Sequence, residues 1–158
     1  MKKIFLITFL LLAFIDLFSQ KATLTETTEY LKNNIQNMCS QFGSKFIVNT
    51  DKCQLDIYET MDDSEKIDTV NFYHIDLANI SDTTLYSQKE KFGITKITIK
   101  GFGCYMISYF NLLGEKSEIR TNNQVLLPFK TKGIDRINFV NKFDKALQHA
   151  KDLCQLKF

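Results

Sequence analysis

Ile94-Thr95-Lys96-Ile97-Thr98-Ile99-Lys100-Gly101-Phe102-Gly103-Cys104-Tyr105-Met106-Ile107-Ser108-Tyr109-Phe110 changes its pattern once, at the two glycines. Before them, Ile94, Ile97 and Ile99 mark a strand whose Lys96, Thr98 and Lys100 point outward. After them, a period of two sets Tyr105, Ile107 and Tyr109 on one face and Cys104, Met106, Ser108 and Phe110 on the other. Gly101-Phe102-Gly103 reads as a tight turn or bulge between two strands. Both faces of the second strand are apolar enough to be covered, one by each of the helices expected at the chain ends.

The same period extends on either side. Upstream, Cys53, Leu55 and Ile57 alternate with Gln54 and Asp56, and Val70 to Leu77 carries Phe72, Tyr73 and Ile75. Met61-Asp62-Asp63-Ser64-Glu65-Lys66 is a polar connection between them. Downstream, Leu113-Gly114-Glu115-Lys116 looks like a turn. Two short strands follow near Glu118–Thr121 and Gln124–Phe129, with Asn122-Asn123 as their hairpin turn. Strands that succeed one another without helices between them are expected to pair antiparallel.

A helical period brackets the sheet. From Thr23 to Phe42, Leu24, Thr28, Leu31, Ile35, Met38 and Phe42 form one stripe. Thr23 and Glu26 have the spacing of a capping box, and Gly43 supplies a stop. From Asp135, a cap after the Gly133 break, Ile137, Val140, Phe143, Leu147, Ala150 and Cys154 form a second buried stripe. The expected class is α+β: an N-terminal helix, a strongly bent antiparallel sheet of about six or seven strands, and a C-terminal helix packed on it. This element order resembles a pleckstrin-homology-like barrel, and the resemblance implies a C-terminal helix that plugs one end of the bent sheet. Cystatin-like and other sheet-on-helix folds give a similar order.

The first residues follow a different logic. Met1-Lys2-Lys3 is a positive start, Ile4 to Ile15 is unbroken apolar sequence, and Ser19 is the first small residue after Asp16. This is the pattern of a secretory signal, with cleavage expected after Ser19 or Gln20. The apolar run falls short of the roughly 18 residues that span a bilayer. Residues 20–158 are then read as a single globular domain, secreted or periplasmic in a bacterial cell, with no transmembrane anchor in the mature chain. Taking Lys2, Lys3 and Asp16 from 20 basic and 18 acidic residues leaves a net charge of about +1. Such an even balance gives no footprint for nucleic acid.

Four cysteines, Cys39, Cys53, Cys104 and Cys154, allow three full connectivities in an oxidising compartment. Pairing Cys39 with Cys154, and Cys53 with Cys104, suits the expected positions of helices and strands. None has the close spacing of a zinc knuckle or redox dithiol.

Chemistry-bearing motifs are sparse. His74 shares a strand face with Phe72 and Asp76, and the His74–Asp76 pair is a weak candidate for metal binding or proton transfer. His149, beside Gln148 and Lys151, is expected in solvent. Asp62, Asp63, Glu65 and Asp68 lack the spacing and central glycine of an EF-hand. Lys89 and Lys91, or Lys130, Lys132 and Arg136, are basic groups interrupted by Glu90 and Asp135. Asn79-Ile80-Ser81 matches a glycosylation sequon. No nucleophile elbow, zinc-protease helix or phosphate-binding glycine loop is present, so no cofactor is expected. The leading expectation is a non-enzymatic exported domain that binds a protein or envelope component, with Tyr105, Ile107 and Tyr109 as its surface. The alternatives are a carrier of a small apolar ligand inside the bent sheet, and a small metal-dependent hydrolase using His74 and Asp76.

Overall fold

A computed structural model describes residues 22–39, 44–63, 66–86, 93–112 and 115–156. The expected signal over residues 1–19, Phe42, Gly43, Glu65, Lys89 and Lys91 lie outside the described residues, as do the side chains of Asp62, Asp63 and Asp68.

The first element is helix α1 (Leu24–Met38). Its start obeys the capping box: the Glu26 backbone N–H donates to Thr23 Oγ1 at 3.2 Å, and Glu26 accepts from the Thr23 backbone N–H at 2.7 Å. Those two bonds satisfy donors that the first helical turn leaves open. They also lower the Glu26 pKa, the Thr23 backbone bond contributing most. The helix ends earlier than its apolar stripe. Cys39 turns to extended backbone and forms an isolated antiparallel bridge with Phe129.

Six strands follow, β1 (Lys45–Asp51), β2 (Gln54–Asp63), β3 (Lys66–Asp76), β4 (Ile80–Tyr86), β5 (Ile94–Leu112) and β6 (Glu115–Lys130). All pair antiparallel. The polar segment read as a connection at residues 61–66 is mostly strand, with β2 and β3 pairing as far as Asp63 and Lys66. The long β5 carries β6 on one side. Its other side takes β3 along residues 105–108 and β4 along residues 96–101, so β3 and β4 lie end to end. A short 3-10 turn, Leu77–Asn79, joins them.

The glycine break is a bulge inside one continuous strand. Lys100 pairs with Gln124 and Tyr105 with Asn122, so Gly101, Phe102, Gly103 and Cys104 stand opposite Asn123 alone. The extra residues on β5 bend the ladder and reset which side chains face each way. Before the bulge Thr95, Ile97 and Ile99 are buried in phase, with Thr98 between them buried as well rather than exposed as expected, and after it come Cys104 and half-buried Met106. Thr95, not Ile94, therefore shares the buried face. Asn122-Asn123 is not a hairpin turn: Asn123 takes positive φ within β6, and the two short strands expected there are one. Gly101 has a separate steric duty, since a Cβ there would meet the Asn79 carbonyl oxygen at 2.4 Å.

Helix α2 (Arg136–Gln155) closes the chain, with the Asp135 side chain accepting from the Asn138 N–H at 3.1 Å. Val140, Phe143, Leu147, Ala150 and Cys154 are buried as their spacing predicts. Ile137 is the exception at 71% exposed, because the first turn projects past the core. The C-terminal end is fastened to the sheet: Cys154 bonds Cys53 with a Cα–Cα distance of 5.8 Å, and Gln155 Nε2 donates to the Ala78 carbonyl at 2.9 Å. This pairing replaces the expected Cys39–Cys154 and Cys53–Cys104 bridges, leaving Cys39 and Cys104 as buried thiols. Cys39 is held instead by its bridge to β6, and Cys104 sits at the bulge.

Both helices pack on the same face of the sheet. Leu31 and Ile35 of α1 join Phe143 and Leu147 of α2 in one cluster with Val48, Ile57, Ile75, Ile99, Leu127 and Phe129. Each fully buried aliphatic or aromatic side chain of this kind contributes about 1.5–3 kcal/mol. The expectation of one helix on each face is thereby corrected. The sheet is strongly curved but unclosed, and among the described residues β1 and β6 do not pair with each other. Among the described residues no helix packs on its outer face.

Candidate functional site

Strand register builds two neighbouring rows across the outer face. One reads Ile47, Tyr58, Phe72, Ile107, Arg120 from β1 to β6. The next reads Asn49, Asp56, His74, Tyr105, Asn122. Neighbouring strands lie about 4.8 Å apart, which brings such cross-strand side chains into contact. Tyr58 and Phe72 have ring centroids 5.0 Å apart, and Phe72 and Tyr105 are 5.9 Å apart.

Tyr105 is the node of this face. The His74 ring stacks on it at 4.9 Å with an interplanar angle of 22°. The Arg120 guanidinium carbon lies 4.1 Å from its ring centroid, a cation–π contact. Arg120 Nε also donates to Asn122 Oδ1 at 2.9 Å, which fixes the plane of the guanidinium. On the other side, His74 Nδ1 is 2.6 Å from Asp56 Oδ1. A continuous line of contacts thus runs from Asp56 through His74 and Tyr105 to Arg120 and Asn122.

Tyr58, Phe72, Ile107 and Tyr109 line a shallow depression of about 330 Å³. Tyr109 is exposed, whereas Tyr58, Phe72 and Ile107 are half-buried against one another. Tyr105, Ile107 and Tyr109 therefore do share one face, and the structure adds Tyr58, Phe72 and Arg120 to them. The bulge is what aims them outward. Alternation made Phe72 visible as a strand residue, but only register places it and Tyr58 beside Ile107.

His74 and Asp76 are not partners. Asp76 turns to the 3-10 segment, where its carboxylate accepts from the Ala78 N–H at 3.1 Å and from Asn79 Nδ2 at 2.8 Å. His74 takes Asp56 instead, because those two residues face each other across β2 and β3. Among the described residues, no group of three or more His, Cys, Asp or Glu side chains converges as a metal site would require. His149 is not simply solvated, since its Nε2 lies 2.7 Å from the Ala22 carbonyl oxygen.

A polar cluster inside the core escaped the sequence reading. Glu59 lies on the buried face of β2, only 3% exposed. Its carboxylate accepts from Ser44 Oγ at 2.8 Å, Asn71 Nδ2 at 2.6 Å and the Tyr73 hydroxyl at 2.6 Å. Burial raises the Tyr73 pKa well above its ordinary value, helped by the bond to Glu59. Burial likewise pushes the Cys39 thiol up, with the Glu59 charge adding to it. Both groups are held protonated, which suits a donor network around one carboxylate and makes Cys39 a poor nucleophile. A carboxylate in phase with Leu55 and Ile57 was the available signal.

Two other clefts stand out among the described residues. One of about 680 Å³ runs along Asp51–Gln54, Asp76, Ala78 and Asn79, beside the disulfide. The other, about 390 Å³, lies between Glu26, Thr27 and Tyr30 of α1 and Lys142, Lys145, Ala146 and His149 of α2. Among the described residues no helix is long and apolar enough to cross a membrane.

No family model matches the chain, and no curated protein or solved structure is significantly similar to it.

Proposed function

We propose that the chain is an exported, non-enzymatic binding domain whose outer sheet face takes its ligand or partner. The observation that carries the reading is the row of rings, Tyr58, Phe72 and Tyr105, on a face that neither helix covers. Tyrosine, phenylalanine and arginine in a half-exposed patch are the residue types enriched where proteins bind something. The Met1–Ser19 pattern supports export, and a Cys53–Cys154 bond supports an oxidising compartment.

The reading is non-enzymatic because the face gathers rings around a lone Asp56–His74 pair. Among its described residues no Ser, Thr or Cys hydrogen-bonds His74 as a nucleophile would. The alternative of a ligand enclosed in the bend draws no support from the interior, which Phe129, Phe143, Leu31 and Ile35 fill.

The test is amide chemical-shift mapping of the whole chain, without its leader, against a mixed fragment set of sugars, amines, aryl acids and aryl alcohols. The reading predicts responses centred on Tyr58, Phe72, Ile107 and Tyr109. Responses confined to the cleft beside Cys53, or to the seam between the helices, would overturn it.

A further inference from the structure

Resting on that reading of the outer face, we infer that its depression takes a small, flat, apolar carboxylate of the aryl-acid class, the ring against Tyr58, Phe72, Ile107 and Tyr109 and the carboxylate on Arg120. The size of the space selects a single ring. A depression of about 330 Å³ walled by three aromatic rings and one aliphatic chain is scaled to one ring, at the small end of ligand sites. Ring faces and edges on its walls offer stacked and edge-on contacts to a planar guest.

Charge placement selects the carboxylate. Arg120 pairs in register with Ile107, so its backbone flanks the depression, while its guanidinium lies over Tyr105 in the neighbouring row. Its Nε is occupied by Asn122, and Tyr105 lies against the guanidinium plane. The two terminal nitrogens remain, and they are the pair that grips a carboxylate through two parallel bonds. Among the described residues no carboxylate is seen in an ion pair with Arg120, whereas Lys32 pairs with Glu29 and His74 with Asp56. Asp56 is turned to His74, so it does not compete.

The opposite end has the opposite sign. Glu118 pairs in register with Tyr109 on the same face. A carboxylate ligand is therefore drawn to the Arg120 end and repelled from the Glu118 end, which fixes one orientation. A guanidinium whose orientation is fixed by Tyr105 and Asn122 before the ligand arrives also loses little freedom on binding.

The test compares 3-phenylpropionate with 3-phenylpropan-1-ol by calorimetry and amide-shift titration, on wild type and Arg120→Gln. The expected result is roughly 10-fold or greater preference for the acid in wild type, with shifts at Ile107 and Tyr109. Arg120→Gln is expected to abolish that preference by weakening the acid to the level of the alcohol. Arg120 is exposed, so the variant folds; Arg120→Lys, which keeps charge without the two-pronged grip, is expected to fall between. Equal binding of acid and alcohol would overturn the inference, as would a sugar or amine bound more tightly at the same residues. Tighter binding of the tripeptide Gly-Gly-Phe would overturn it in favour of a peptide C-terminus. In those cases the outer face survives as the binding surface. Absence of any outer-face response, to these or to the fragment set, would remove both readings together.

Discussion

The Tyr73 hydroxyl donates to Glu59 at 2.6 Å inside the core, so a buried carboxylate is held by neutral donors alone among its described partners. Removing that donor leaves the charge under-satisfied. Tyr73→Phe is expected to cost about 1.5–3 kcal/mol, as for a hydrogen bond to a charged group. Glu59→Gln keeps the shape and removes the charge, so its cost is expected to be smaller. Urea melts of the two variants check the order.

Buried groups that hold their protons make stability fall in alkali. Tyr73 has its folded pKa raised above the ordinary value of 10.0, and Cys39 is raised well above 9.0. A group whose folded pKa is raised adds stability that is complete below its unfolded pKa and is lost as pH climbs above it. Stability is therefore expected to hold to about pH 8 and then decline, by about 1.4 kcal/mol per pH unit for each group once its unfolded form ionises. Burial raises the Cys104 thiol in the same way, so Cys39→Ala is expected to make the onset shallower rather than abolish it, and Tyr73→Phe to flatten the limb above pH 10. Denaturant midpoints from pH 7 to 11 measure it; an unchanged limb in both variants would contradict the assignment.

The disulfide ties α2 to the start of β2 across a separation of 101 residues. Reduction, or the double change Cys53→Ala with Cys154→Ala, is expected to lower stability by about 2–5 kcal/mol. Peptide mapping under non-reducing conditions is expected to find Cys53 linked to Cys154. Cys39 and Cys104, both buried, are expected to alkylate only after unfolding.

Gly101 allows the bulge to meet the 3-10 turn. An alanine Cβ there would lie 2.4 Å from the Asn79 carbonyl oxygen and 2.9 Å from Ile80 Cα, and both neighbours are backbone. Gly101→Ala is expected to cost more than about 3 kcal/mol or prevent folding, beyond the usual range for a single change. Gly133→Ala, with positive φ but nothing within 4 Å, is expected to cost only the left-handed penalty of about 1–2 kcal/mol. Thermal melts of the two separate a steric requirement from a conformational one.

Much of the fold is legible in the sequence because the helices advertise themselves. Thr23 and Glu26 announce α1, and the stripe from Val140 to Cys154 announces the buried face of α2. Ile137 keeps the period yet stays exposed, since a stripe does not reveal where the sheet beneath it ends. Strand β4 was not legible. Its Ser81, Asp82, Thr83 and Thr84 show no apolar alternation, and it is a strand because β5 offers it a partner. The bulge concealed that β5 and β6 are each one long strand, because two glycines and two asparagines are ordinary turn residues. The disulfide and the Asp56–His74 pair depend on cross-strand register and helix docking, which four cysteines and two acids near one histidine do not determine. Of the site, Tyr105, Ile107 and Tyr109 were legible from period two; Tyr58, Phe72 and Arg120 needed the register.

The account turns on an outer face that binds but does not hold the fold together. Tyr58→Ser combined with Tyr109→Ser tests this most directly, by a urea melt followed by the same fragment mapping. The account predicts a folded protein that loses no more than about 2 kcal/mol, the scale of two cross-strand aromatic contacts, and no response at Phe72 or Ile107 to fragments that bind the wild type. An unfolded chain, or a retained response at Phe72 and Ile107, would contradict it.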